Sequence, residues 1–232
     1  MNENQHQPTL VLVAHGTRSP RGLDTIARIA AAVSREVGPT RVAFADVLGP
    51  SLSEVLDEVD GPVIVVPAFL ASGYHVYTDV REVVARTGRR DVVVTDALGP
   101  DVALASLLTD RLRAAGHADG DAVVLAAAGS SDPRALADVE HARVLLAREL
   151  GVAVSVGYVA AGAPRVPDLV AAVREHAGAR VAVASYLLAP GLFHDRLRTC
   201  GADVVADPLG VHDVVTRLVA ARYRSARVAV HA

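Results

Sequence analysis

The sequence predicts an α/β protein built from two similar Rossmann-like lobes, each with a four-stranded parallel sheet flanked by helices. Short β-branched runs alternate with longer amphipathic segments along the 232 residues, a pattern typical of parallel sheets covered on both faces. The strand–helix order occurs four times before the Gly- and Asp-rich stretch at 116–121 and four times after it. We therefore expect lobes at 1–116 and 121–232, related by a pseudo-two-fold axis.

The first half begins with a continuous apolar run at 10–14, as expected for a strand that is buried on both faces. Ser19 before Pro20 predicts a helix N-cap and first helical position, and Gly38 suits the residue after the helix. SLSE at 51–54 matches a capping box and begins a second helix. The elements predicted in this half are strands at 10–14, 41–46, 62–67 and 91–96 and helices at 19–37, 51–59, 76–86 and 101–115.

The second half repeats this order, and its glycines and prolines align with those of the first. Aligning Gly16 with Gly129 also aligns Pro20 with Pro133, so both halves predict the same turn from a strand into a helix. The elements predicted here are strands at 121–127, 152–157, 180–185 and 203–206 and helices at about 133–150, 165–177, 191–199 and 209–223.

Three polar residues of the first half have no chemical counterpart in the second half. Each lies at the end of, or beyond, a different predicted strand of one sheet, and the aligned pairs are His15 with Ala128, Asp46 with Tyr158 and His75 with Phe193. Because ligands bind beyond the carboxyl ends of parallel strands, we expect the three first-half side chains to converge on one rim. Imidazole and carboxylate groups bind metal ions and move protons, so the first lobe is predicted to hold the chemical site.

Each candidate also has a structural interpretation that the sequence leaves open. His15 fits a strand-end histidine bonded to backbone, Asp46 a turn cap, and His75 a surface loop. Gly16 before a helix also fits a general anion loop, although neither GxGxxG nor GxxxxGK[ST] is present. His194 is adjacent to the His75 position but out of register with it, and we predict that it is not catalytic. No HExxH, paired CxxC or GxSxG motif is present, so zinc-protease, zinc-ribbon and serine-hydrolase assignments have no support.

Composition excludes several other classes of protein. A net charge of −3, 3% aromatic residues and no Trp argue against nucleic-acid binding. The longest apolar stretch, at 63–71, is interrupted by Pro67 and is too short to span a membrane. The N-terminus lacks the pattern of a signal peptide, and the single cysteine, Cys200, allows no intramolecular disulfide. We therefore expect a cytoplasmic protein without a membrane or nucleic-acid partner.

Two segments resemble a known family: VAHGTRSP at 13–20 and FLASGYHVYTDV at 69–80. They look like the sirohydrochlorin chelatases of the class II chelatase group, in the long, internally duplicated bacterial form. The resemblance implies a chelatase-like fold and a lyase without an organic cofactor that inserts a divalent metal substrate into sirohydrochlorin. Fe²⁺ insertion to give siroheme is the expected reaction, with Co²⁺ insertion for cobalamin synthesis, or Ni²⁺ insertion, as alternatives. A non-catalytic metal or tetrapyrrole carrier is the alternative from another class.

The resemblance also assigns roles to residues. His15 and His75 map onto the histidines that bind the metal and accept protons. FADVLGPS at 44–51 stands where the family has a glutamate, so the shorter Asp46 takes the third catalytic position. The substrate-binding residues implied are Gly16, Arg18, Ser72, Gly73 and Tyr74, and further candidates for the substrate carboxylates are Arg81, Arg165 and Arg196. Because the duplicated chain supplies both lobes, we expect a monomer.

Overall fold

The computed structural model describes residues 7–46, 49–71 and 79–230, and in them helices and strands alternate throughout. The first half of the chain contains β1 (Thr9–Ala14), α1 (Pro20–Val37), β2 (Thr40–Phe44), α2 (Leu52–Glu58), β3 (Val63–Pro67), α3 (Val80–Thr87), β4 (Val92–Val94) and α4 (Val102–Ala114). The second half contains β5 (Ala122–Ala127), α5 (Pro133–Leu150), β6 (Val154–Tyr158), α6 (Val166–Ala177), β7 (Val181–Tyr186), α7 (Leu192–Leu197), β8 (Val204–Val205) and α8 (Asp213–Val230).

The strands form two four-stranded sheets with the same topology, in the orders β2-β1-β3-β4 and β6-β5-β7-β8. All the strand pairs in these sheets are parallel, which confirms the predicted α/β class and the internal repeat. The helix α8 continues to Val230, past the predicted end near residue 223. The predicted start of α3 at residue 76 lies outside the described residues.

The apolar run of β1 is buried on both faces, as its unbroken hydrophobicity predicts. Leu10, Val11, Leu12 and Val13 are all 0% exposed. On one face, Val11 and Val13 join a cluster with the buried side chains of α2 and α3. The central strand is therefore fixed in position along its length, and so is the residue that follows its carboxyl end.

The compact units of the structure do not coincide with the sequence halves. One unit contains 1–98 and 211–232, and the other contains 99–210. In the first unit α8 packs against α1 and β3, whereas in the second unit α4 packs against α5 and β7. Each half of the sequence thus gives its last helix to the sheet of the other half. The boundaries predicted at 1–116 and 121–232 follow the sequence repeat. An amphipathic pattern shows that a helix buries one face, but it does not show which sheet that face packs against.

Side chains and backbone join the exchanged helices to their units. The Tyr223 hydroxyl on α8 donates to the Pro8 carbonyl at 2.6 Å, just before β1. Arg222 donates to the Ala97 carbonyl at 3.1 Å. On α4, Arg111 donates to the Leu209 carbonyl at 2.7 Å within the second unit. Among the described helices, none has the length and apolar character needed to cross a membrane.

Candidate functional site

His15 lies directly after β1, at the carboxyl edge of the first sheet. Its side chain is exposed, and its ring meets that of Phe69 edge-on, with the ring centroids 6.3 Å apart and the planes at 70°. Phe69 follows β3 and packs against the core cluster of the unit. An aromatic ring held by the core therefore supports the exposed imidazole, an arrangement that favours one orientation of the histidine.

The segment after His15 forms a tight turn into α1. Gly16 adopts a φ of 96°, in the left-handed region that favours glycine. The Thr17 hydroxyl then accepts a hydrogen bond from the Ser19 N–H at 3.1 Å. Ser19 occupies the predicted N-cap position, but its side chain makes no capping hydrogen bond. Arg18 is exposed in this turn, so a cationic side chain and the first turn of a helix lie beside His15.

Asp46 lies beside His15 because the pairing of β1 with β2 continues past the strand ends. The Ala45 N–H donates to the Ala14 carbonyl at 2.8 Å, and the Asp46 N–H donates to the His15 carbonyl at 3.2 Å. Asp46 is exposed. Two of the three residues predicted to share a rim are thus adjacent at the carboxyl edge of the first sheet.

The other predicted site residues of the first half, His75, Ser72, Gly73 and Tyr74, lie outside the described residues. In the described ranges, no group of three or more His, Cys, Asp or Glu side chains is arranged to hold a metal ion.

The second sheet carries the same turn with different side chains. Gly129 has a φ of 93°, close to that of Gly16, and follows Ala128 at the His15 position. The alignment of Tyr158 with Asp46 is wrong. Ala127 pairs with Tyr158 as Ala14 pairs with Phe44, so Tyr158 corresponds to Phe44.

The residue that corresponds to Asp46 is Ala160. Its N–H donates to the Ala128 carbonyl at 2.8 Å, as the Asp46 N–H donates to the His15 carbonyl. The second sheet thus has alanine at both positions where the first has an ionisable side chain. The difference between the halves is larger than the sequence alignment indicated, because that alignment placed a tyrosine opposite Asp46.

The rim of the second sheet is closed by its own chain at Gly129. A Cβ atom on Gly129 would lie 1.7 Å from the carbonyl oxygen of Ala161, so only glycine fits beneath this loop. The Arg165 guanidinium donates to the Val159 carbonyl at 2.6 Å and also to the Ala160 carbonyl. Arg165 therefore holds the loop together, which argues against its predicted role as a substrate anchor.

His194, predicted to be non-catalytic, is buried in the second unit, with 6% of its surface exposed. Its Nε2 lies 3.9 Å from the Asp207 carboxylate, near the carboxyl end of β8. Burial lowers the pKa of His194, and the carboxylate of Asp207 partly opposes this shift. The residue that sequence reasoning missed is Phe69. Its place just after β3 was the available signal, since strand ends of one sheet lie side by side.

Comparison with known proteins places the chain in a family. The CbiX family model matches the chain twice, over residues 9–115 and 122–226. The sirohydrochlorin ferrochelatase of Priestia megaterium is 23% identical over 239 residues, which cover 94% of this chain and 90% of the relative. The sirohydrochlorin cobaltochelatase of Methanothermobacter thermautotrophicus is 28% identical over 142 residues, which cover 50% of this chain and 99% of the relative.

Solved structures share the fold over nearly the whole chain. SirB from Bacillus subtilis with Fe³⁺ matches with a TM-score of 0.81 at 19% identity, over 94% of this chain and 95% of that one. CbiX, described as the terminal enzyme for biosynthesis of siroheme in denitrifying bacteria, matches with a TM-score of 0.70 at 22% identity, over 94% and 99% of the two chains. With two matches to one family model that together span most of its length, the chain belongs to the CbiX family of sirohydrochlorin chelatases, which are enzymes of the metal-chelatase type.

Proposed function

We propose that this enzyme inserts Fe²⁺ into sirohydrochlorin to give siroheme, with the chemistry performed at the rim of the first sheet. The observation that carries the proposal is the pairing of His15 with Asp46 through the backbone, at positions where the second sheet has Ala128 and Ala160. Of the two similar sheets, the first has ionisable side chains at these two positions and the second does not. Membership of the CbiX family supports chelation as the use of those groups.

Metal insertion needs a group that accepts protons and ligands that release the ion. Two pyrrole N–H protons leave the macrocycle when the metal enters, and an imidazole such as that of His15 is the kind of side chain that accepts protons in catalysis. Imidazole and carboxylate ligands also suit Fe²⁺ and Co²⁺. The exposure of His15 and Asp46 leaves coordination positions open to the pyrrole nitrogens. His75, which enters from the sequence alone, is the proposed second metal ligand and proton acceptor.

The turn after His15 is the proposed anchor for substrate carboxylates. Arg18 is exposed there, and the first turn of α1 contains no acidic residue. In the second unit the matching helix is capped instead, because the Asp132 carboxylate accepts from the Arg134 N–H at 2.9 Å. The first-unit turn thus combines a guanidinium with a helix N-terminus that lacks a capping side chain, and both favour a bound carboxylate. Ser72, Gly73 and Tyr74 are proposed from the sequence to add contacts.

The proposal of iron rather than cobalt rests on how much of this chain each relative covers. The ferrochelatase relative aligns over 94% of this chain, whereas the cobaltochelatase relative aligns over 50% and is itself a shorter protein. Cobalt insertion is the second candidate, because the cobaltochelatase relative is the more similar of the two where it aligns, at 28% against 23% identity. We propose that the protein acts as a monomer, since its single chain contains both sheets.

The test is a side-by-side assay of Fe²⁺, Co²⁺ and Ni²⁺ insertion, followed by the change in tetrapyrrole absorbance. We expect the highest kcat/KM with Fe²⁺ and a loss of at least about 100-fold in His15→Ala, because a positioned acid–base group typically contributes that much. His141→Ala is the matched control, since His141 is an exposed histidine on α5. Unchanged rates in both His15→Ala and His75→Ala would contradict the proposal.

The same assay separates an enzyme from a carrier. With metal and tetrapyrrole in large excess over protein, an enzyme forms many equivalents of metallated product. A carrier stops at one equivalent, which would overturn the catalytic assignment.

A further inference from the structure

An aromatic ring lies beside His15 because the backbone carries Phe69 to that place. Phe69 follows the last residue of β3 by two positions. The Ala68 N–H donates to the Val13 carbonyl at 2.8 Å, and the Phe69 carbonyl accepts from the Leu98 N–H at 3.0 Å. The backbone around Phe69 is therefore tied both to β1, which leads into His15, and to the chain that follows β4.

The second sheet has a leucine, Leu187, at the position of Phe69. Each of these two residues lies two positions past the residue that pairs with the penultimate residue of β1 or β5. The Leu187 carbonyl accepts from the Leu209 N–H at 3.0 Å, which repeats the hydrogen bond at the Phe69 carbonyl in both length and position. Phe69 and Leu187 therefore occupy corresponding backbone positions in the two similar sheets.

Of these two positions, the one with the aromatic ring belongs to the sheet that has the histidine. The first sheet combines His15 with Phe69, and the second has Ala128 and Leu187 at the same places. Both Phe69 and Leu187 pack against the apolar core of their own unit, so a leucine is enough for that packing. What the phenylalanine adds is an aromatic ring in contact with an imidazole.

The contact with Phe69 acts on the side-chain torsions of His15, which the backbone hydrogen bonds do not fix. The Asp46 N–H donates to the His15 carbonyl at 3.2 Å, but an exposed imidazole on a fixed backbone still has several staggered rotamers. The ring centroids of His15 and Phe69 lie 6.3 Å apart with the planes at 70°, within the range where edge-to-face rings attract. Such a contact favours the rotamer that keeps the imidazole against Phe69 by roughly three- to tenfold.

We propose that Phe69 is a positioning residue, whose ring holds the His15 imidazole in the orientation that the chemistry needs. The proposal rests on the proposed function, in which His15 contacts the metal and accepts a pyrrole proton. Phe69 itself supplies neither a metal ligand nor a proton acceptor. Because a reacting group acts only from the correct place and direction, a histidine that spends less time in that orientation slows the chemical step. Binding of the tetrapyrrole carboxylates at Arg18 does not depend on the Phe69 ring.

The test replaces Phe69 with the residue type that the second sheet has at this position. We expect Phe69→Leu to fold, since Leu187 already packs against a core from the corresponding position. The variant should have a kcat roughly three- to tenfold below that of the wild type and an unchanged KM for sirohydrochlorin. Phe69→Tyr keeps an aromatic ring and should restore most of the lost kcat. Metal insertion is followed by tetrapyrrole absorbance, and urea midpoints compare the stability of the variants.

A second readout, NMR of the metal-free protein, follows the His15 ring without turnover. The ring current of Phe69 displaces the resonances of the His15 ring protons, which are identified by their absence from the spectrum of His15→Ala. We expect Phe69→Leu to remove this displacement and Phe69→Tyr to keep it. The matched control is Phe193→Leu, because Phe193 is also partly exposed and packs against a core cluster, but in the second unit. That variant should leave both kcat and the His15 resonances at their wild-type values.

Three results would overturn the positioning role of Phe69. They are an unchanged kcat in Phe69→Leu, unchanged His15 resonances in Phe69→Leu, and a loss of kcat in Phe69→Tyr or Phe193→Leu as large as that in Phe69→Leu. The proposed function fails on a different result, which is a wild-type rate in both His15→Ala and His75→Ala. A large loss of rate in His15→Ala together with wild-type behaviour of Phe69→Leu therefore rejects this inference alone.

Discussion

At the scale of single residues, the two units have different side chains at the carboxyl edges of their sheets but the same backbone hydrogen bonds there. The hydrogen bond from Asp46 to His15 has a counterpart from Ala160 to Ala128. Both turns use a glycine with φ above 90°. The backbone therefore sets where a side chain can act, and the side chain decides whether the position has any chemistry.

The buried His194 should make stability fall in mild acid. Burial lowers its pKa below the usual value near 6.5, while Asp207 and Asp195 oppose this shift and Arg198 adds to it. The unfolded chain then binds a proton at a higher pH than the folded chain does. The free energy of unfolding should therefore decrease as the pH drops below about 6.5 and level off below the folded pKa.

Urea unfolding of the wild type and of His194→Gln at two pH values checks this expectation. Between about pH 7.5 and about pH 5.5, the wild type should lose more stability than the variant, because the other titrating groups are common to both. An identical loss in the two proteins would show that His194 does not contribute.

At the scale of elements, the sequence shows which segments form helices and strands, but it does not show which elements pack together. The position of β1, the turn at Gly16 and the N-cap at Ser19 follow from the local order of apolar residues, glycine and proline, and the structure has them where they were predicted. The contact of Phe69 with His15 joins residues that are far apart in the chain. The loop held by Arg165 depends on the direction in which the Arg165 side chain points. Local patterns do not encode such contacts, so sequence reasoning missed them.

The exchange of α4 and α8 should be visible in the effects of core substitutions. Val219→Ala on α8 removes a fully buried side chain and should cost about 2 kcal/mol. Hydrogen exchange should then accelerate in β1 and β3, although Val219 lies near the end of the chain. Leu108→Ala on α4, the matched variant, should instead accelerate exchange in β5 and β7, although it lies in the first half of the sequence.

These two variants also test the alternative directly. If Val219→Ala loosened β5 and β7 and left β1 and β3 protected, each helix would belong with the strands of its own sequence half. That result would contradict the exchange.

At the scale of the whole molecule, the unit at 99–210 is continuous in sequence, and the other unit is assembled from two segments. A fragment of residues 99–210 retains α4 against β7 and should unfold cooperatively in urea as an independent domain. A fragment of residues 121–232 follows the sequence repeat but lacks α4 and carries α8 without its partners. It should aggregate or show a broad transition, because apolar surface on β7 and α8 is then uncovered. Circular dichroism during denaturation distinguishes the two fragments, and an equally sharp transition in both would contradict this division.

The exchanged last helix also sets an order of events during protein synthesis. Strands β1 to β4 leave the ribosome early, yet α8, which packs on β3 and α1, is made long after them. At about 5–20 residues per second, the intervening chain takes roughly ten seconds to synthesise. The unit at 99–210 can complete its core during that interval, whereas the sheet bearing His15 and Asp46 still lacks the helix that packs on β3. The rim proposed to handle the metal would thus be completed only after α8 has been synthesised, which keeps a half-made protein from presenting a finished metal site.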